Sequence, residues 1–334
     1  MKKVRLDLFK LHDENDKGQG TIKAVNNTKL KSFLKKIIKD IQKKEDLSVK
    51  DIAEKMGLSY LNFYNKLFRK KSELQLIKKL TELCGDITKS STKEINRKLT
   101  EIQDVIEELT YGAGNTHKIV KAPKFLTKNL CKTVGAVIAD GHLTKHIKKS
   151  GSPSYLISVD DESKDNLDRF CKWMKEEFET KIRPKYSRKN NYWRVDFGNK
   201  IIYRYLNKLF EIPIGKKHEI VKTPNLIKFA DLSMKISFLN GLFLFDGGIG
   251  LKSIYFNYST KSITLLKEVK ETLMELDIEP DYVSKDIIPS TKVAELRIWS
   301  KEKLKKLTKI FSEVEHAQKW IKLESICLAN KFRN

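Results

Sequence analysis

Residues 133–141, Thr-Val-Gly-Ala-Val-Ile-Ala-Asp-Gly, and residues 239–247, Leu-Asn-Gly-Leu-Phe-Leu-Phe-Asp-Gly, repeat one short pattern. Each is an apolar, helix-forming run with a glycine inside it, closed by Asp-Gly. The pairs Gly135/Gly241, Asp140/Asp246 and Gly141/Gly247 share a single offset of 106 residues (241 − 135). A helix that is apolar all round must be buried. A buried helix ending in a lone acid, written twice, predicts two halves that bring two carboxylates together.

The chain around this repeat is strongly basic. Among 334 residues, 67 Lys+Arg stand against 43 Asp+Glu, a net charge of +24. That length allows two or three domains with real cores. The charge favours a polyanionic partner, because phosphate neutralisation drives most non-specific nucleic-acid binding. The four cysteines, Cys84, Cys131, Cys171 and Cys327, are far apart. No pair has CxxC spacing, which argues against a zinc ribbon or a redox pair. They read as buried thiols in a reducing compartment. The N-terminus lacks the apolar core of a signal peptide, and no uncharged apolar stretch could span a bilayer. The expectation is a soluble, intracellular, cytoplasmic protein with no membrane partner.

Along the chain, residues 1–27 have weak periodicity and stay unassigned. Residues 28–110 read as helical. Apolar groups recur at Leu30, Phe33, Leu34, Ile37, Ile38 and Ile41, and further helices are expected at 49–56, 60–68 and 73–84, the last ended by Gly85. Residues 93–109 read as one more amphipathic helix, a spacer or a dimer contact. Residues 111–124 read as a linker. Beyond residue 125 the pattern becomes mixed. Strands are expected at 155–160, 181–187 and 192–197 in a first half (125–226), and at 254–259, 281–288 and 293–299 in a second (227–334). Helices are expected at 166–178 and 200–210, and at 265–276 and 301–311. Each half then reads as helix, two strands, helix, two strands, helix.

Ser48 to Phe68 has the features of a DNA-reading helix pair. Ser48 and Ser59 can cap the two helices. Ala53 is small enough for a close crossing, and Gly57 suits a left-handed turn. Ile52, Leu58, Phe63 and Leu67 fill the core, so the second helix exposes Tyr60, Asn62, Asn65, Lys66 and Arg69, side chains suited to base edges and phosphates. This stretch resembles the helix-turn-helix of phage-repressor-like regulators. The competing reading is a helical bundle without DNA contact.

If the two Asp-Gly helices cross near a pseudo-twofold axis, Gly135 and Gly241 permit close approach and Asp140 and Asp246 end side by side. Carboxylates so close repel unless cations lie between them, and hard oxygen ligands suit Mg²⁺. The residues 120–334 resemble the LAGLIDADG homing endonucleases, specifically the single-chain kind with two motifs. The resemblance implies an α+β fold of two pseudo-symmetric αββαββα halves whose sheets form a saddle over double-stranded DNA. It implies Mg²⁺-dependent double-strand cleavage at a long asymmetric site, with two or three ions shared between the half-sites. Asp140 and Asp246 would hold metal, with the carbonyls of Gly141 and Gly247 sharing in coordination. A basic residue near the end of each half would assist: Lys217, beside Lys216, in Gly-Lys-Lys-His, and Lys319 in His-Ala-Gln-Lys. The chain departs from the motif at Ile138 and Leu244, where an acid is common, and at Asn240 and Phe245, where Phe245 replaces a small Ala.

Strand alternation nominates DNA readers. In the first half these are Lys181, Arg183, Lys185, Ser187, Arg188, Asn190, Arg194 and Asp196. In the second they are Tyr282, Ser284, Asp286, Lys292, Glu295 and Arg297. Arg and Asn suit bases, and the hairpin lysines suit phosphates. The expectation is a monomeric, standalone homing endonuclease rather than an intein, since the chain begins with Met and not with a splicing Cys or Ser. An inert DNA-binding regulator and a maturase that binds intron RNA are the alternatives.

Overall fold

The computed structural model describes residues 3–13, 21–111, 118–147, 153–250 and 254–312. The chain divides into two compact units, one from Arg5 to Phe125 and the other from Leu126 onward together with Lys3 and Val4. The fold is mixed, with antiparallel sheets in both units.

The first unit holds β1 (Lys23–Val25), α1 (Thr28–Glu45), α2 (Val49–Lys55), α3 (Tyr60–Phe68), β2 (Lys71–Glu73), α4 (Leu74–Thr88), α5 (Thr92–Val105), β3 (Glu108–Tyr111) and β4 (Lys118–Lys121). The helix starts follow the capping chemistry. Asn27 accepts a hydrogen bond from Leu30 N at 2.8 Å. Ser48 and Asp51 form a reciprocal capping box on α2. Ser59 caps α3, and Gly57 sits at φ +69° in the turn between them, where a left-handed residue is needed. Ile52, Ala53, Phe63 and Leu67 are buried and Leu58 is half-buried.

Several expectations are corrected here. The unit is not all-α: its strands form a four-stranded sheet in the order β2-β1-β3-β4, with Ala24 paired to Ser72 and Leu109, and Leu109 also to Val120. Leu109 continues the helical apolar spacing of α5 by coincidence, and Ile106 leaves the helix with extended dihedrals. The span expected as a linker contains β4, while residues 112–117 lie outside the described residues. The unassigned N-terminal segment belongs to this unit in part. Leu8 N donates to Gln103 Oε1 at 2.8 Å, and Arg5 pairs with Asp104 at 2.6 Å. Residues 14–20 lie outside the described residues. Helix α4 runs through Gly85 to a left-handed cap at Lys89, because the Ile95 side chain of α5 packs where a Cβ at position 85 would stand. Helix α5 packs on α4 and α1.

The second unit runs α6 (Lys128–Ala139), β5 (Gly141–Ile147), β6 (Pro153–Asp161), α7 (Lys164–Phe178), β7 (Lys185–Ser187), β8 (Tyr192–Gly198) and α8 (Lys200–Arg204). It continues with α9 (Asn225–Lys228), α10 (Leu232–Asp246), β9 (Gly247–Gly250), β10 (Tyr255–Thr260), α11 (Ile263–Glu275), β11 (Tyr282–Val283), β12 (Ala294–Ile298) and α12 (Lys301–Ser312). Its two sheets have matching orders, β5-β6-β8-β7 and β9-β10-β12-β11. Both expected outer strands are shorter than the sequence pattern. The first begins only after Pro184, which has no N–H to give a ladder. The second is interrupted where Ser284 bonds the backbone of Glu295, and resumes as a single bridge between Ile288 and Val293. The helix expected at 200–210 passes into a π-turn, Tyr205–Leu209.

Helices α6 and α10 form the centre of this unit. Residues 130–139 and 237–245 are buried on every face. The glycines make the crossing possible. A Cβ at Gly135 would stand 2.7 Å from Leu242 N and closer still to the Phe238 carbonyl, and one at Gly241 would stand 2.7 Å from the Lys132 carbonyl carbon. The contact is reciprocal, since Phe238 and Lys132 are themselves 106 positions apart (238 − 132). Phe245 is buried beside this crossing without opening it, because the glycines further up the helices set the approach. Among the described residues no helix is long and apolar enough to cross a membrane.

Candidate active site and nucleic-acid interface

Asp140 is the C-terminal cap of α6 and is exposed; Asp246 is the last residue of α10 and is half-buried. Gly141 and Gly247 open the strands that follow. Each must be small, since a Cβ would strike the last turn of its own helix, 2.7 Å from Val137 Cα and 3.1 Å from Phe243 Cα respectively. Asp160 N donates to the Asp140 carbonyl at 3.3 Å, which fixes the α6 end to strand β6.

Lys217 is buried against the end of α6. Its side chain is 1 % exposed, and its ammonium donates to the carbonyls of Val137, Ile138 and Ala139, the last at 3.0 Å. These carbonyls have no partner within a helix, and they carry the negative end of its dipole. Burial pushes the amine down to about 8, while Asp246 and Asp140 pull it back up. Both acids therefore lie within electrostatic reach of a single ammonium. Lys216 is exposed, so of the two neighbouring lysines it is Lys217 that points into the protein. Lys319 lies outside the described residues.

Asn166 carries no local sequence signal. It is buried, and its Nδ2 donates to the Leu244 carbonyl at 3.3 Å and to Asp161 at 3.1 Å, so a first-half side chain holds the end of α10. His142 stands half-buried on β5. The His218 imidazole is held below the usual histidine range, first by burial and then by Lys217 and Lys261.

The donor set fits Mg²⁺ better than a softer metal. Among the described residues no cluster of three or more His, Cys, Asp or Glu side chains could cage an ion. Two carboxylates with neighbouring carbonyls are hard oxygen ligands of the kind that Mg²⁺ accepts. The described cysteines are unpaired. Cys84 and Cys131 are buried, Cys171 is half-buried with its thiol pushed up to about 12, and Cys327 lies outside the described residues.

Both sheets of this unit alternate as a half-buried sheet should. Ile157, Val159 and Val195 face the core, and Ser158, Asp160, Arg194 and Asp196 share the other face. Lys181, Arg183, Lys185, Arg188, Asn190 and Asp196 are exposed, and Ser187 is half-buried. Arg194 is half-buried and already engaged. Its guanidinium forks onto Asp160 at 2.6 and 2.7 Å and touches Tyr192. In the second sheet Arg297 pairs with Glu295 at 2.6 Å and lies over the rings of Tyr255 and Tyr282. Tyr282, Asp286 and Lys292 are exposed, and Lys292 has φ +57°. Ser284 and Glu295 are buried. The Ser284 hydroxyl accepts from Glu295 N at 2.7 Å, so it is occupied by the sheet rather than offered to a ligand.

In the first unit Tyr60, Asn62 and Arg69 are exposed and Asn65 is half-buried. Lys66 bonds Glu73 at 3.1 Å, which spends part of its charge within the fold.

Residues 233–311 match the family model described as a LAGLIDADG-like domain. No curated protein matches the chain in sequence. Among solved structures, the homing endonuclease I-DmoI in complex with DNA and calcium is similar at 18% identity over 59% of this chain and 97% of that one, with a TM-score of 0.46. Mesophilic variants of I-DmoI match at 20% identity over 55% and 96%, TM-score 0.44. Full-length DUF199/WhiA from Thermatoga maritima matches at 15% identity over 64% of each chain, TM-score 0.40.

Proposed function

We propose that the chain is a site-specific DNA endonuclease that makes Mg²⁺-dependent double-strand breaks by hydrolysing phosphodiesters. The observation that carries this reading is that Asp140 and Asp246 each end one of two adjoining buried helices, and each acts electrostatically on Lys217. A helix end needs no acid for packing, and two acids there repel one another unless they serve a cation. In this reading residues 125–226 and 227–334 are two pseudo-symmetric halves of one monomer, and their sheets straddle the duplex as a saddle.

Asp140 and Asp246, with the Gly141 and Gly247 carbonyls, would hold the ions. Bound there, Mg²⁺ supplies charge that stabilises the attacking and leaving oxygens of an in-line displacement by water. Lys217 acts as a positioning residue rather than a proton donor. Its three N–H groups are taken by the α6 carbonyls, so it contributes a fixed positive charge and holds Asp140 in register. Lys319 would take the same part in the second half. Exposed Lys181, Arg183, Lys185, Arg188 and Asn190 would line the duplex, and Arg194 and Arg297 would read bases only on exchanging their carboxylate partners. Tyr60, Asn62, Asn65, Lys66 and Arg69 would add a second contact from the helix pair of the first unit.

The test is cleavage of a randomised duplex library in Mg²⁺, with Asp140→Asn/Asp246→Asn as control. The expected outcome is cutting at one long site, abolished in the double variant while binding persists. Salt-sensitive retention of duplexes without cutting would overturn the enzyme and leave a DNA-binding regulator. Selective retention of a structured intron RNA would instead support a maturase.

A further inference from the structure

Helices α1 and α3 of the first unit enclose a groove of about 350 Å³ with two chemically distinct walls. One wall is aromatic. Tyr60, Tyr64 and Phe68 recur every fourth residue along α3, with successive ring centroids 6.4 and 5.5 Å apart. Tyr60 and Tyr64 are 49 % and 47 % exposed, and neither hydroxyl bonds a described residue. The other wall is cationic. Lys31, Lys35 and Lys39 recur every fourth residue along α1, which puts a charge about every 6 Å along the helix. None of these three ammonium groups forms an ion pair with a described residue, although Lys55, Lys66 and Lys78 nearby in the same unit all do.

Neither row is explained by packing. Tyrosines with half their surface in water contribute little to a core, and i,i+4 lysines repel one another by a few tenths of a kcal/mol. What satisfies both rows at once is a chain that alternates flat rings with anionic charge at a regular repeat. Aromatic platforms beside a positively charged track are the physical basis of single-strand binding, since every base has a face to stack. Duplex DNA matches the charges but keeps its base faces stacked inside. An acidic peptide matches the charges but has no regular succession of rings.

We propose that the α1–α3 groove binds a single-stranded segment of nucleic acid, with bases stacked on Tyr60, Tyr64 and Phe68 and phosphates on Lys31, Lys35 and Lys39. This site is separate from Asp140 and Asp246, and it stands whether or not the chain cuts duplex DNA. Only Tyr60 belongs also to the set assigned to duplex contact, so the test leaves it in place.

The experiment is anisotropy titration of a fluorescein-labelled dT20 oligonucleotide with the full chain in EDTA, over a series of salt concentrations. Tyr64→Ala is expected to weaken binding roughly five- to a hundredfold, the scale of losing one stacked base. Tyr64→Phe, which keeps the ring, should bind like the parent. Lys35→Ala/Lys39→Ala should flatten the slope of log K against log salt by about 1.4, two single-strand phosphate contacts. The lysine pair lies on the exposed side of α1, so its result decides the question even where Tyr64→Ala perturbs α3. An unchanged salt slope in the lysine variant would overturn the proposal, and so would unchanged affinity in Tyr64→Ala. So would displacement of dT20 by a poly-glutamate peptide as readily as by unlabelled dT20, which would assign the groove to an acidic protein segment.

Discussion

Lys217 is a buried cation whose whole donor capacity goes to the end of one helix, and its titration follows from that setting. Burial pushes its amine down to about 8, whereas an unfolded lysine titrates near 10.5. Below pH 8 both states hold the proton, and the native state bears the full cost of the buried charge. Between pH 8 and 10.5 the native amine has released its proton while the unfolded chain still holds one, so stability rises with pH through that window. In chelator, the parent should therefore gain up to about 3 kcal/mol from pH 8 to 10.5 relative to Lys217→Met. Denaturant midpoints at the two pH values measure this difference, and parallel behaviour of the two proteins would mean that the amine is not buried. Sequence could nominate Lys217 only together with Lys216, because two adjacent lysines look alike until burial separates them. Asn166 could not be nominated at all. Its partner Leu244 is 78 residues away, and no local pattern records such a contact.

At the scale of elements, the crossing of α6 and α10 rests on two glycines more than on the apolar side chains around them. Gly241→Ala would drive a Cβ into the Lys132 backbone, where no flexible side chain can yield. The expected cost is about 1–3 kcal/mol, the usual range for overpacking a well-filled core. All four tryptophans lie beyond residue 126, so the thermal midpoint read by tryptophan emission should fall in this variant. An unchanged midpoint would show that the helices can separate freely. Gly57→Ala meets open space instead, and its cost of about 1–2 kcal/mol comes from the left-handed backbone alone. The long helices and the paired motif were legible because apolar periodicity and Asp-Gly ends are local signals. The strands at 108–111 and 118–121 were not. One prolongs the spacing of α5, and both are only four residues long; β3 is held by pairing to β1, far back along the chain, and β4 by pairing to β3. The outer strands fall short of their sequence pattern for the opposite reason. Alternation runs across Pro184 and Ser284, but the ladder begins only after the first and is interrupted at the second.

For the whole molecule, a net charge of +24 makes binding to any polyanion easy and makes affinity alone a poor guide to function. The informative quantity is how affinity changes with salt, and which residues set that slope. Lys181, Arg183 and Lys185 are exposed along the approach to β7, and none pairs with a described carboxylate, so their charge is available to a duplex. Arg194 and Arg297 each carry a carboxylate partner, and their contribution to a slope is smaller. In the Asp140→Asn/Asp246→Asn background, log K for duplex DNA should fall linearly with log salt. Replacing Lys181, Arg183 and Lys185 by Gln should reduce that slope by about 2.7, or 0.9 for each phosphate no longer neutralised. Filter binding between 50 and 200 mM salt resolves a change of this size. A slope that survives the triple replacement would move the duplex off the β5-β6-β8-β7 sheet, and the saddle reading would fail with it. A reduced slope with the sequence preference intact would assign these three residues to the phosphate track and leave base reading to the engaged arginines and the polar side chains beside them.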